Sequence, residues 1–338
     1  MSRSFLSALV LPLFLSLSAV PLGAQDLTKV PSTKIWDQSP HCAFTDLIDW
    51  NGTLYLTFRE SDKHVRGEDG KIRLLSSSDG SSWSSVALLE KSGVDLRDPK
   101  LSVTPDGRLM ILMGGSSYEE DALTKRKPLV AFASSATEVG PIEEIEIDER
   151  LANPNNWLWR VTWHEGVGYG VMYQNNTKPW GLHLMKTTDG KTFDYVTRLT
   201  HGEKANESTA CFAADGTMYI VTRHESGDKS GSLLRNQPYG NWIIKPIDTR
   251  LGGPDLCRIG DDYFLGSRQY GDENKTVVGS LDVKTAGFTP KVELPSGGDT
   301  SYPGLLPRGN ELWVSYYSSH EDDTASIYLA KIPLSDLQ

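Results

Sequence analysis

Cysteine is scarce in this chain. The three residues, Cys42, Cys211 and Cys257, cannot all pair with one another, and their spacing matches no zinc or redox motif. All three stand in apolar, strand-like contexts and read as small buried side chains, with a Cys211–Cys257 bridge as the alternative. Positive charge is also in deficit. Thirty-four Lys and Arg against 44 Asp and Glu leave a formal net charge of -10. That argues against nucleic acid or an anionic membrane as the main partner, although an acidic protein can still hold a basic cleft. No apolar run is long enough to span a bilayer. The one sizeable run, Phe5 to Val20, follows Arg3 and precedes Pro21-Leu22-Gly23-Ala24. This order describes a secretory signal over residues 1–24. No Cys stands directly after the cut, which argues against a lipoprotein. Export to the periplasm or the extracellular space is expected.

What the chain has instead is frequent Gly and Pro, modest hydrophobic content and evenly spread aromatics, a composition suited to many short strands and turns. Turn pairs recur at Asn51-Gly52, Asp106-Gly107, Glu165-Gly166, Asp215-Gly216, Gly260-Asp261 and Gly309-Asn310, about 45 to 60 residues apart. A short apolar strand precedes each turn and an alternating strand follows it, as in Leu54-Tyr55-Leu56-Thr57-Phe58 and Leu312-Trp313-Val314-Ser315-Tyr316. A third strand, and in most segments a fourth, comes next. Four strands repeated six times predict an all-β, six-bladed β-propeller of four-stranded antiparallel blades, one domain over residues 25–338. The segment Leu27–Ile35 is expected to close the ring as the outer strand of the last blade. A monomer is expected.

Two stretches, Ser77-Ser78-Asp79-Gly80-Ser81-Ser82-Trp83 and Thr187-Thr188-Asp189-Gly190-Lys191-Thr192-Phe193, share the pattern Ser/Thr-x-Asp-Gly-x-x-aromatic. They stand two blades apart, between third and fourth strands. The Asp bonds backbone amides there and the aromatic packs between blades. They resemble shortened Asp-boxes, the turn repeat of the sialidase superfamily, and carry no catalytic content.

Propeller pockets lie on the axis, where first strands begin and second strands end. Blade one offers Asp46, Arg59, Glu60 and His64 at that rim; blade two Asp95, Arg97 and Asp98; blade three Trp159 and Arg160. Blade four offers Glu207, Arg223 and His224, blade five Asp255 and Arg268, and blade six Tyr302, Tyr317 and His320. One rim arginine is ordinarily a solvated charge or an ion pair. Five converging on one axis, Arg59, Arg97, Arg160, Arg223 and Arg268, predict an anionic ligand gripped through bidentate hydrogen bonds. Some of the five are expected to pair with Glu60, Asp98 or Asp255 instead.

The stretch from Asn206 to Arg223 resembles the sialidase segment Asn-Glu…Asp-Gly…Arg, and Ser301-Tyr302-Pro303-Gly304-Leu305 resembles the segment that holds the sialidase nucleophile. The resemblance implies an exo-glycoside hydrolase that releases a terminal acidic sugar from glycans. Tyr302 would be the nucleophile, Glu207 its base, and Arg223 with Arg268 the clamp on the substrate carboxylate. A neutral phenol approaches an anomeric carbon that itself bears a carboxylate without the repulsion a carboxylate nucleophile would meet. Blade one departs from the family: Ala43-Phe44-Thr45-Asp46 stands where sialidases carry Arg-Ile-Pro. Arg59, Arg97 or Arg160 would then supply the third arginine. The acid/base carboxylate falls among Glu60, Asp98, Asp46 and Asp62. His64 and His320 either contact substrate hydroxyls, orient a carboxylate, or are exposed loop residues.

Two other readings fit the same residues. One is a hydrolase or lyase acting on another anionic sugar such as a uronic acid, with His and Tyr as base and acid. The other is a carbohydrate-binding propeller without catalysis. The carboxylates are interleaved with arginines and not grouped at ligand spacing, so neither metal nor other cofactor is expected.

Overall fold

The protein is described by a computed structural model over residues 27–120, 122–177, 180–199, 204–236 and 241–338. The expected signal over residues 1–24 lies outside them. The turn pairs dictate the architecture. Asn51-Gly52 and Glu165-Gly166 put both residues at positive φ (54° and 79°; 49° and 80°), the two-residue hairpin geometry that matches strand twist. Six hairpins at these turn pairs, with longer loops from Val103 to Leu109 and from Phe212 to Met218, seed six sheets arranged as a six-bladed β-propeller of antiparallel blades. The first, innermost strands are His41–Trp50, Asp95–Val103, Asn156–His164, Ala205–Phe212, Asp255–Ile259 and Ser301–Arg308.

The N-terminal segment closes the ring as expected. Ser32–Trp36 pairs antiparallel with Ser326–Pro333, Ser32 opposite Ala330, and becomes the outer strand of blade six. Thr28–Lys29 pairs in parallel with Gly287–Leu294 of blade five, so one stretch of chain ties two blades together.

Blades pack through apolar faces. Tyr55, Ile72 and Leu74 of blade one meet Leu96, Ile111 and Ala131 of blade two, while Met110 and Phe132 of blade two meet Met172 and Phe193 of blade three. Each large aliphatic side chain buried this way contributes about 1.5–3 kcal/mol. The two Ser/Thr-x-Asp-Gly turns share one hydrogen-bond pattern. Ser77 Oγ accepts from the Gly80 amide at 2.8 Å, and Thr187 Oγ1 from Gly190 at 2.9 Å. The Asp79 and Asp189 carboxylates each accept the amide two residues on, at 2.8 Å. Cys42, Cys211 and Cys257 are unpaired thiols, so the Cys211–Cys257 bridge is not formed.

One feature of the innermost strands positions the site. Five of the six slip register near their starts, between Ala43 and Asp46, Arg97 and Lys100, Leu158 and Val161, Ala205 and Ser208, and Ser301 and Gly304. A bulge at the same height in five blades re-aims the residues it carries. Phe44, Asp98 and Tyr302 take φ of 63°, 50° and 53° there. Such left-handed backbone is uncommon for side-chain-bearing residues and collects at functional sites.

Candidate functional site

Tyr302 and Glu207 both ride on these bulges, and they meet. The Tyr302 hydroxyl donates to Glu207 Oε1 at 2.7 Å, Arg223 Nη1 donates to the same oxygen at 2.6 Å, and the Gly253 amide donates to Oε2 at 2.8 Å. Both side chains are nearly buried, with 8% of Tyr302 and 6% of Glu207 exposed. The phenol ring is held by Phe44 edge-on at 4.9 Å and by Trp159 at 5.6 Å. Burial pushes the Tyr302 phenol well above the ordinary value, and the Glu207 charge adds to the shift. Burial would raise Glu207 too, but the Arg223 charge and the hydrogen bonds from Tyr302, Arg223 and Gly253 outweigh it and hold the carboxyl below its usual value. At rest the pair is a neutral phenol bonded to a carboxylate.

Gly253 is required at its position. Its φ is 59°, and a Cβ there would stand 2.6 Å from Tyr302 Cγ. The backbone of the Gly252-Gly253-Pro254 turn therefore packs flat against the phenol ring while its amide serves Glu207.

A second cluster adjoins the first. Asp299, in the loop before blade six, accepts at Oδ1 from Tyr317 Oη at 2.9 Å and from Arg268 Nη2 at 3.3 Å. Its Oδ2 lies 2.6 Å from His64 Nδ1 and 3.1 Å from His41 Nε2. Burial opposes ionisation of Asp299, but the two imidazole contacts and the Arg268 charge hold its carboxyl far below the usual range. Arg268 Nε is spent on the Thr300 carbonyl at 2.7 Å. Arg97 lies with its guanidinium 5.0 Å above the Phe44 ring and donates through Nη1 to Asp95 and to the His64 carbonyl.

Asp98 stands apart electrostatically. Its carboxylate makes no hydrogen bond or ion pair among the described residues. Burial raises its pKa and the Glu207 charge adds, while Arg97 opposes.

The structure places the remaining expected residues elsewhere. Arg59 is fully buried; it donates to Asp95 Oδ1 through Nε at 3.0 Å and Nη2 at 2.7 Å, and to the Lys63 carbonyl. Glu60, the next residue on the same strand, faces the other side of the blade, where Arg73 and the Trp36 indole hold it. Asp62 ties down its own loop through the Glu68 amide. His320 packs its ring on Tyr328 at 4.4 Å, next to the outer strand of blade six. Asp46, Arg160 and Asp255 lie deeper on the axis. Arg160 Nη1 bonds both Asp46 oxygens at 2.9–3.0 Å, and its Nε lies 3.4 Å from Asp255. Asp46 also accepts the Leu101 amide and Asp255 the Leu305 amide, so this network locks five blades together. Lys100 joins it, its pKa lowered by burial to about 8.

All five arginines thus have carboxylate partners inside the protein. Their mutual repulsion is already relieved and by itself calls for no anionic ligand. His41, Asp299 and Gly253 were not singled out by sequence reasoning. A Gly-Gly-Pro run was the only visible signal for Gly253, and Asp299 follows an ordinary Pro-Ser-Gly-Gly turn. A cavity of about 450 Å³ opens at the opposite mouth of the axis, lined by Leu47, Ser102, Trp163, Phe212 and Leu306. The Tyr302–Glu207 cluster is not part of it.

No family model matches the chain, and no curated protein matches it by sequence. Solved structures do share the fold. A Dyadobacter fermentans protein of unknown function superposes with a TM-score of 0.75 at 16% identity, covering 90% of this chain and 99% of that one. A mutant Trypanosoma rangeli sialidase displaying trans-sialidase activity superposes at 0.64 and 13% identity over 92% of this chain. This chain spans only 58% of that protein's length. A Penicillium chrysogenum α-L-arabinanase superposes at 0.67 and 14% identity over 91% of this chain and 99% of that one. At these identities the likeness is one of fold.

Proposed function

We propose that the protein is an exported, monomeric exo-glycoside hydrolase that releases a terminal acidic sugar, a sialic acid, from glycans with retention of configuration. The observation that carries this reading is the chain of bonds from Tyr302 through Glu207 to Arg223. A tyrosine bonded to a carboxylate can act as a nucleophile because the base oxygen stands 2.7 Å from the phenol oxygen, in line to take its proton. The occurrence of sialidases and an arabinanase on the same propeller supports a glycosidase reading.

In the proposed reaction the Tyr302 oxygen attacks the anomeric carbon while its proton passes to Glu207. The glycosidic C–O bond breaks, and Asp98, whose raised pKa suits an acid, protonates the departing oxygen. Asp98 then takes a proton from water as water attacks the tyrosyl–sugar bond, and Glu207 returns its proton to Tyr302. Arg268 Nη1 and Arg97 Nε and Nη2 make no hydrogen bond among the described residues, so these donors serve the substrate carboxylate together with Arg223. Arg97 takes the part of the arm that Phe44 cannot supply.

Phe44 also favours a second reading. With an aromatic ring where a clamp arginine would stand, a uronic acid becomes the alternative substrate. Incubation of the purified protein with an aryl sialoside and an aryl uronide separates the two. Aryl alcohol released from the sialoside, with turnover lost in Tyr302→Phe, is the expected result. Release from the uronide alone transfers the site to that sugar. Release from neither, with glycan binding retained, leaves a binding module.

A further inference from the structure

We propose that His41, His64 and Asp299 form a binding site for a divalent transition-metal ion beside Tyr302. The three come from distant parts of the chain: the first strand of blade one, the loop after its second strand, and the loop before blade six. One donor atom from each lies within 4.8 Å of the other two, and His41 Nε2 and His64 Nδ1 are the atoms that face Asp299 Oδ2. Two imidazole nitrogens and one carboxylate oxygen are a donor set suited to zinc and its neighbours, and three protein ligands leave coordination positions open.

The surroundings prepare these donors. Tyr317 Oη and Arg268 Nη2 occupy Asp299 Oδ1, which turns Oδ2 toward both imidazoles. Outer contacts of this kind orient a ligating carboxylate. Two arginines pin the loop that carries His64, with Arg59 Nη1 on the Lys63 carbonyl and Arg97 Nη1 on the His64 carbonyl, each at 2.8 Å. Arg59 is fully buried in its ion pair with Asp95 and has only Nη1 left for the loop, which it spends on the Lys63 carbonyl.

Donors bound at roughly 2.0–2.2 Å to one ion stand about 3.0–3.5 Å from each other. His41 and Asp299 already have that spacing at 3.1 Å. His64, at 2.6 Å, has to withdraw by about 0.5 Å, and its 43% exposed side chain is free to do so. The same exposure directs the open coordination position outward. The neighbouring Arg268 charge sets the limit on affinity and favours an ion that carries an anionic or hydroxide ligand.

The inference stands apart from the hydrolase reading because its test uses no substrate. The full mature chain, stripped with a chelator, is titrated with zinc by calorimetry and its metal content counted after dialysis. About one equivalent per chain is expected, with affinity reduced at least ~100-fold in both His41→Ala and His64→Ala and unchanged in His320→Ala. Circular dichroism and melting check that the variants are folded, and the half-buried His64 side chain is the one more readily truncated. Metal content below about 0.2 equivalents, or binding that survives both substitutions in folded protein, overturns the site. The three residues are then a hydrogen-bonded cluster only.

Discussion

Replacing Gly253 by alanine perturbs the candidate site at one atom. Two costs are separable. The backbone φ of 59° is left-handed, which costs an alanine about 1–2 kcal/mol. The new Cβ would stand 2.6, 2.7 and 2.9 Å from three Tyr302 ring carbons, and overpacking of that kind costs about 1–3 kcal/mol. Together they predict a loss of about 2–5 kcal/mol, or roughly 4–10 °C in melting temperature for a domain of this size. Gly52→Ala is the control. It has φ of 79° with nothing within 4 Å of the added atom, so it carries only the first cost. In Gly253→Ala the displaced ring also leaves Glu207, and a misplacement near 1 Å lowers turnover by about 100-fold. Differential scanning calorimetry of both variants and an aryl-glycoside assay read the two effects. Melting and turnover of Gly253→Ala equal to those of Gly52→Ala would refute the argument that this backbone fixes the phenol.

Asp98→Asn tests the unpartnered carboxyl. A carboxyl whose folded pKa is raised costs stability once ionised, so the variant melts higher than wild type at pH 7. That gain vanishes as pH falls and is gone below about 3.8, the ordinary aspartate value, while turnover is lost at all pH. A lower melting temperature at pH 7 contradicts the assignment. Asp46→Ala leaves Arg160 buried beside one carboxylate fewer, and chemical denaturation should show a loss of about 3–5 kcal/mol. A loss below about 1 kcal/mol would remove that network from the structural account. Glu60→Gln weakens the contact to Arg73 and lowers stability with turnover within about twofold of wild type. A large loss of turnover would return Glu60 to the site.

The architecture was legible because it rests on local signals. Six glycine-containing turns specify six hairpins, and the strand Ser32–Trp36 finds its partner at the far end of the chain. Glu207 and Arg223 were legible as a pair because one hairpin brings its two ends to one rim. What stayed hidden depends on direction rather than position. Arg59 and Glu60 are adjacent, so the pleat sends them to opposite faces, and only the arginine turns toward Asp95. Asp46 and Asp98 both stand at bulged strand starts. Asp46 turns into an ion network, whereas Asp98 has no hydrogen-bond or ion-pair partner among the described residues. A bulge inserts one residue and reverses the alternation, which composition and spacing do not record. Asp299 was invisible for another reason: its partners His41, His64, Arg268 and Tyr317 come from blades one, five and six, and meet only when the ring is closed.

The central claim is that Tyr302 forms a bond to the sugar. A sialosyl fluoride bearing a second fluorine beside the anomeric carbon slows breakdown of such an adduct enough to isolate it. Peptide mass spectrometry of the treated protein is expected to place one sialosyl group on the peptide containing Tyr302, with none on Tyr302→Phe. An adduct on Glu207 or Asp98, or sialoside turnover without any adduct, contradicts the account.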